Sequence, residues 1–153
     1  MSGRLLLVDD DKFILNALAR LLGTQGYHCT MAISGTEALR LLEKETFDLV
    51  LLGLGDNSHT LSLFPGYDDI VFDRENWVRS FYLKEQDMYR ITLTSAIVNT
   101  AGRVAFLVAG KDKAEALSQV TFGKYDPANH PAQMIKPLNG ELYWFTDKAA
   151  SGL

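Results

Sequence analysis

The sequence predicts an α/β fold: a single three-layer α/β/α domain with a largely parallel sheet, of the flavodoxin-like or Rossmann-like type. Short apolar runs alternate with segments whose apolar residues recur at helical spacing. The runs in the first third are apolar without interruption, as parallel strands covered on both faces require. The chain has 153 residues, and a domain commonly has about 100 to 200. We therefore expect one domain over residues 1–153.

The first third of the chain predicts the order β-α-β-α-β. Strands are expected at residues 4–8, 27–32 and 47–52. After the first strand, apolar residues recur at helical spacing from Ile14 to Leu22, and Gly23 and Gly26 end that helix. Ser34 and Glu37 have the spacing of a capping box at the start of the second helix.

The remaining residues continue the α/β pattern with a looser rhythm. Strands are expected at residues 77–83, 90–94, 103–109, 133–135 and 142–145, and helices at 95–101, 112–120 and 146–150. The last helix is expected to have Thr146 as its N-cap, and Asp112 and Glu115 repeat the capping spacing. The polar stretch 66–76 predicts a surface connection. Four large aromatic side chains are expected in the core: Trp77, Phe81, Phe106 and Trp144.

The composition disfavours two classes of partner. Fifteen Lys and Arg residues against nineteen Asp and Glu give a net charge of -4, so neither nucleic acid nor an anionic membrane is expected. The apolar run near the N-terminus is too short for a secretory leader, and no run approaches the roughly 18 residues of a membrane span. The single cysteine, Cys29, forms no internal disulfide. A reducing, cytoplasmic location is the expectation.

The N-terminal half carries an acidic pair and a helix start in a characteristic order. Asp9 and Asp10 follow the first strand, and the later motifs are SGTEA at 34–38 and FDLVLL at 47–52. This order resembles the receiver domain of two-component response regulators. The resemblance implies that Asp9 and Asp10 hold Mg²⁺ beside an aspartate that accepts a phosphoryl group. Gly53 stands at the acceptor position, so no aspartyl phosphate is expected, and the two acids alternatively only cap the first helix.

The rest of the chain carries a second set of motifs. They are GLGDNSHTLSLFPG at 53–66, RITLT at 90–94, FLVAG at 106–110 followed by Lys113, and Trp144 with Asp147. Their order resembles the C-terminal half of 6-phosphogluconolactonases, which are relatives of glucosamine-6-phosphate isomerases. The resemblance implies a hydrolase that acts on a sugar-phosphate lactone.

The same resemblance implies roles for individual residues. His59 matches the catalytic imidazole, which as a neutral base takes a proton from water and returns it to the leaving ring oxygen. Gly53 and Gly55 are expected to form a tight turn whose amides face the ligand. Arg90 and Lys113 are expected to contact the substrate phosphate, although Lys113 is alternatively a solvated lysine at a helix start.

Two positions depart from the pattern of the resembled family. Asn57 stands in place of an aspartate, and an amide does not stabilise an imidazolium by charge. Ser58 stands in place of a glycine, which adds a Cβ where a positive φ is expected. Catalysis through His59 is therefore expected to be impaired. The glycine-rich phosphate loop of the family also lacks a counterpart before residue 47.

The two resemblances meet at residues 47–52, a strand that suits either family. We interpret the chain as an engineered chimera of a receiver-like half (1–52) and a 6-phosphogluconolactonase-like half (47–153). The first hypothesis is a remnant lactonase site with little or no turnover. One alternative is a minimal sugar-phosphate lactone hydrolase that uses His59, and another is a receiver-like binding module that cannot be phosphorylated.

Few accessory groups are expected. No cofactor is required, with Mg²⁺ at the acidic pair as an option. The expected small-molecule partner is a sugar phosphate. The chain is expected to be a monomer, or a dimer that pairs through exposed strand edges.

Overall fold

The computed structural model describes residues 3–8, 12–42, 44–45 and 49–152. The chain forms two compact units, residues 1–50 and residues 51–153. Asp9 and Asp10 lie outside the described residues, so the cap or Mg²⁺ site expected there stays a prediction. None of the described helices combines the length and the hydropathy that a membrane span needs.

The first unit contains a parallel strand pair and two helices. Its elements are β1 (Arg4–Val8), α1 (Lys12–Thr24), β2 (His28–Ala32) and α2 (Gly35–Leu42). β1 and β2 are parallel, and Leu5 also forms a parallel bridge with Leu49. The predicted order of these four elements is confirmed. Gly23 does not end α1, because a single glycine costs a helix only about 1 kcal/mol.

The start of α2 uses the predicted capping pair. The backbone N–H of Glu37 donates to Ser34 Oγ at 3.2 Å, and the backbone N–H of Ile33 donates to Glu37 Oε2 at 2.9 Å. In an ordinary capping box the carboxylate accepts from the N-cap amide, so here it reaches one residue further back. Among the side chains described in this unit, the buried apolar ones are those of Leu5, Leu7, Leu15, Ala32 and Ala38.

The second unit, with the strand that leads into it, contains a three-stranded sheet and a separate hairpin. Its strands are β3 (Val50–Gly53), β4 (Val78–Leu83), β5 (Met88–Leu93), β6 (Arg103–Val108) and β7 (Glu141–Thr146). The sheet has the order β3-β6-β7, with β6 and β7 parallel, and β4 pairs with β5 in an antiparallel hairpin. Four predicted strands are therefore confirmed after residue 76.

The helices of this unit are short. They are α3 (Asp68–Val71), α4 (Ser95–Val98), α5 (Ala114–Phe122) and α6 (Lys148–Ser151), with 3₁₀ helices at Lys84–Gln86, Lys111–Lys113 and Pro131–Met134. The predicted strand at 133–135 is wrong. Residues 133 and 134 belong to the 3₁₀ helix instead, and this helix begins at Pro131, whose fixed φ and missing N–H suit a first helical turn.

Three local predictions also need correction. The stretch 66–76 is more than a surface connection, because α3 lies within it and buries Ile70 and Val71. The N-cap of α6 is Asp147 and not Thr146, since Asp147 Oδ1 accepts the N–H of Ala150 at 2.7 Å. Asp112 and Glu115 form no capping box, because the N-cap of α5 is Lys113 and its side chain accepts no hydrogen bond from the helix.

Aromatic residues divide between the core and the surface. Phe106 is fully buried, and its ring stacks on Trp144 with centroids 4.1 Å apart and an interplanar angle of 7°. Trp77 is 58% exposed, so the core prediction is wrong for this residue. It immediately precedes β4, whose two-stranded hairpin is not part of the β3-β6-β7 sheet.

Candidate functional site

A tight loop follows β3 and carries the histidine that the sequence singled out. The backbone N–H of Gly55 donates to the carbonyl of His59 at 2.8 Å, and the N–H of Ser58 donates to the carbonyl of Gly55 at 3.1 Å. Thr60 Oγ1 donates to the carbonyl of Gly53 at 2.9 Å. These bonds fix the loop directly beyond the carboxyl end of β3, and ligands of open α/β sheets bind outside the carboxyl ends of the strands.

The two glycines of this loop differ in the space that a side chain would find there. A Cβ on Gly55 would lie 2.0 Å from Nδ1 and 2.2 Å from Cε1 of His59, whereas a Cβ on Gly53 would meet nothing within 4 Å. The ring of His59 therefore packs directly on the backbone of Gly55. The Gly55 amide bonds the His59 carbonyl, so it closes the turn and does not face a ligand as the sequence predicted.

Asn57 determines which ring nitrogen of His59 carries the proton. Asn57 Oδ1 lies 3.2 Å from the backbone nitrogen of His59 and 2.6 Å from His59 Nδ1. A backbone N–H only donates, so the atom facing it is the amide oxygen and not the amide nitrogen. An oxygen acceptor beside Nδ1 requires a proton on Nδ1. The neutral imidazole then presents the lone pair of Nε2.

The surroundings of His59 favour the neutral imidazole. Burial lowers its pKa below the ordinary histidine value; the carboxylate of Asp56 raises this pKa, and the cations Lys113 and Arg90 lower it further. The ring also stacks on Phe64, with centroids 4.4 Å apart and an interplanar angle of 22°. At neutral pH the imidazole is therefore uncharged and competent to accept a proton.

The two cations predicted from the sequence lie within electrostatic range of His59. Lys113 belongs to the 3₁₀ helix before α5, and its Nζ lies 3.1 Å from the Asp112 carboxylate with 24% of the side chain exposed. Arg90 lies on β5 and donates from Nη2 to Gln86 Oε1. Its Nε is buried and has no acceptor among the described residues. An anion that accepts from Arg90 would satisfy this donor.

The loop that carries Lys113 is fixed by the C-terminal helix. Gly110 has a φ of 99°, and its backbone N–H donates to both carboxylate oxygens of Asp147 at 3.2 and 3.1 Å. The same carboxylate caps α6. In the sequence Asp147 is only a match to a family motif, and the structure gives it this bridging function.

Sequence reasoning missed several contacts around the histidine. Asp56 supplies a nearby negative charge, Phe64 a stacking surface, and Gln86 a partner for Arg90. Asp56 and Phe64 lie inside the motif at 53–66, so their position there was an available signal. Gln86 lies four residues before Arg90, and no motif marked it in the sequence.

Two of the cavities among the described residues lie in the second unit. One of about 230 Å³ borders the site and is lined by Asn57, Phe64, Pro65, Tyr67, Leu83, Glu85 and Gln86. The other, of about 600 Å³, lies between α5, the 3₁₀ helix 131–134, β7 and α6, and none of the candidate site residues lines it. Within the described part of the chain, no cluster of three or more His, Cys, Asp or Glu side chains could hold a metal ion.

Comparison with known proteins places these observations in context. Residues 17–144 match the family model of glucosamine-6-phosphate isomerases/6-phosphogluconolactonase. A 6-phosphogluconolactonase of Synechocystis sp. is 43% identical over 105 residues, which cover 68% of this chain and 42% of the relative. The Haemophilus influenzae 6-phosphogluconolactonase is 31% identical over 145 residues, which cover 95% of this chain and 62% of the relative. The chain thus spans less than two thirds of either relative.

A solved structure gives the same picture of the fold. The crystal structure of a devB protein matches with a TM-score of 0.67 and 26% identity, covering 89% of this chain and 65% of that chain. The predicted α/β class with a largely parallel, Rossmann-like sheet is therefore confirmed.

The interpretation of residues 1–52 as a receiver domain is wrong. The family match begins at residue 17, and the similarity to the Haemophilus influenzae relative covers 95% of the chain, so one family accounts for both halves. Apolar strands alternating with helices are required of every parallel α/β sheet, so this pattern did not discriminate between families. The interpretation as an engineered chimera is therefore wrong as well.

The hypothesis of a remnant site with little or no turnover is also wrong, because it depended on the chimera. Relatives that are 43% and 31% identical to this chain are 6-phosphogluconolactonases. The alternative of a receiver-like binding module has no support for the same reason.

Proposed function

Because this chain belongs to the family of glucosamine-6-phosphate isomerases and 6-phosphogluconolactonases, we propose that it hydrolyses the lactone ring of 6-phosphogluconolactone with His59 as general base. The observation that carries the proposal is the pairing of His59 with Asn57. A proton held on Nδ1 by an amide oxygen, together with a lowered pKa, gives an imidazole whose Nε2 accepts a proton at neutral pH.

The proposed reaction begins with water. His59 Nε2 takes one proton from the water molecule while its oxygen attacks the lactone carbonyl carbon. The tetrahedral intermediate then collapses with cleavage of the ester bond to the ring oxygen, and the imidazolium returns the proton to that oxygen. One water is consumed, and the product is the open hydroxy acid. Arg90 and Lys113 favour the reaction through their positive charge, because the substrate carries a phosphate and the intermediate an oxyanion.

The anionic substrate also matches the charge pattern beside His59. Arg90 has a buried Nε without an acceptor among the described residues, and an oxygen of the phosphate is a suitable acceptor. Lys113 is a point charge that contacts Asp112, and it is less constrained in direction than a guanidinium. We therefore assign phosphate recognition to Arg90, with Lys113 as an additional cation.

The test is the rate of acid release from 6-phosphogluconolactone, corrected for spontaneous hydrolysis. We expect measurable turnover by the chain and a loss of about 10² to 10⁴-fold in kcat for His59→Ala, the usual contribution of a general base. His28→Ala is the matched control, because His28 is an exposed histidine on β2 in the first unit. A folded chain without turnover, or equal rates for His59→Ala and the wild type, would contradict the proposal.

We further propose that the reaction needs no cofactor, since the steps above use only water and side chains of the chain. Mg²⁺ bound by Asp9 and Asp10 is not part of these steps. Monomeric and dimeric forms are equally compatible with them, because no residue of a second copy takes part.

A further inference from the structure

Ser58 adopts a backbone conformation that serine rarely takes. Its φ is 64°, in the left-handed region, and only 2% of the residue is exposed. The Cβ of an L-residue crowds its own backbone in this region, so a non-glycine residue stays there only when its surroundings hold it. The expectation of a positive φ at this position is thereby confirmed.

Two contacts from a distant segment hold Ser58. Its Oγ lies 3.0 Å from His130 Nδ1, and its carbonyl accepts the backbone N–H of Ala132 at 3.0 Å. His130 is itself anchored, since its N–H donates to the carbonyl of Asp126 at 2.8 Å. Pro131, the first residue of the following 3₁₀ helix, is buried. Backbone hydrogen bonds within this segment therefore support its contacts to Ser58.

We propose that His130 is a positioning residue for His59, an inference that rests on the proposed function. Ser58 immediately precedes His59, so the left-handed turn at Ser58 sets the direction in which the next side chain leaves the backbone. The ring of His59 packs directly on Gly55 and accommodates little rotation. Loss of the bond between His130 and Ser58 allows the turn to relax, and this moves His59 Nδ1 away from Asn57.

The variant Ser58→Gly distinguishes a positioning function of His130 from a general contribution of His130 to stability. Glycine adopts a positive φ without strain, so Ser58→Gly needs no side-chain anchor. If His130 acts by holding Ser58, then His130→Ala changes kcat and the His59 Nδ1 signal only while position 58 is a serine. If His130 merely stabilises the unit, then His130→Ala has the same effect whether position 58 is serine or glycine.

The experiment is a double-mutant cycle of His130→Ala and Ser58→Gly on the whole chain. One readout is the NMR signal of the His59 Nδ1 proton together with the pKa of its ring. The other is the separate measurement of kcat and KM for 6-phosphogluconolactone. We expect His130→Ala to lower kcat about tenfold with KM unchanged, as a small misplacement of a reacting group does. The Nδ1 proton of His59 should exchange faster with water in this variant.

The other variants have defined outcomes. Ser58→Gly should stay within about threefold of wild type, and adding His130→Ala to it should change neither readout further. His130→Asn should restore most of the activity, because its side-chain amide offers a hydrogen-bonding group to Ser58 Oγ. Ser58→Ala removes the hydroxyl, and its backbone still has to adopt a positive φ. We expect it to lower kcat and to speed exchange of the His59 Nδ1 proton as His130→Ala does, so it replaces His130→Ala if the latter does not fold.

Two results would overturn the inference: an unchanged Nδ1 signal of His59 in both His130→Ala and Ser58→Ala, or an equal effect of His130→Ala in the Ser58→Gly background. The NMR readout does not require turnover. A chain without activity therefore rejects the proposed function alone, and the Nδ1 signal still decides whether His130 positions His59.

Discussion

Replacing Gly55 by alanine tests the packing of His59 more directly than any change to the histidine itself. The new Cβ would lie 2.0 Å from His59 Nδ1, and ordinary van der Waals contact begins near 3.4 Å. The imidazole therefore has to retreat by about 1.4 Å, and a displacement of about 1 Å can lower a rate about 10²-fold. We expect Gly55→Ala to lower kcat/KM by at least about 10²-fold.

The loss should arise from position and not from unfolding. The backbone N–H of Gly55 is retained in the alanine variant, so its bond to the His59 carbonyl can persist. Gly102→Ala is the matched control, because a Cβ at Gly102 meets nothing within 4 Å and its φ lies outside the left-handed region. The assay is acid release from 6-phosphogluconolactone, with circular dichroism and thermal melting to verify the fold.

A clear result would refute this reasoning. If Gly55→Ala retains kcat/KM within about threefold of wild type while the His59 Nδ1 proton still bonds Asn57, then the close approach of ring and backbone is irrelevant to catalysis. Gly53→Ala adds a comparison within the same loop. Its Cβ has open space, so any loss there reports on the approach of the ligand and not on His59.

Three further predictions concern the charges around the histidine. Asn57→Asp should raise the pKa of His59 and increase kcat by about tenfold or more, because a carboxylate stabilises the imidazolium by charge. An unchanged kcat would contradict the function given to the pair of Asn57 and His59. Lys113→Ala should move the acidic limb of the pH profile of kcat/KM to higher pH, because Lys113 is a cation that lowers the pKa of His59. The control is Lys111→Ala, which replaces an exposed lysine of the same 3₁₀ helix and should leave the acidic limb in place. Chelation by EDTA should not change the rate, and a rate restored only by added Mg²⁺ would contradict the proposal that the reaction needs no cofactor.

The histidine motif was predictable because the residues that interact in it are adjacent in the sequence. Asn57, Ser58 and His59 are neighbours, so the candidate base, its partner and the positive φ could all be expected from the order of residues alone. The distinction between Gly53 and Gly55 could not be predicted in this way. Both are glycines after one strand, and only the position of the His59 ring shows which one requires the absence of a Cβ.

Contacts between distant segments were not accessible from sequence patterns. Ser58 and His130 are 72 residues apart, and nothing in the composition around either residue indicates the other. The run at 133–135 is too short for its periodicity to distinguish a strand from a helical turn, and residues of either element would be buried at this position. The receiver resemblance failed for a related reason, since a strand–helix order is shared by all parallel α/β folds.

The carboxylate of Asp147 links the mobility of two segments that are far apart in the chain. It accepts from the amide of Gly110 and from the amide of Ala150 at the start of α6. Fraying of α6 and opening of the segment from Gly110 to Lys113 therefore both break hydrogen bonds to this one carboxylate. Hydrogen exchange at the Gly110 amide should therefore report local opening of the C-terminal turn. Asp147→Ala would therefore release the Gly110 amide and the start of α6 together, without changing any residue of the histidine motif.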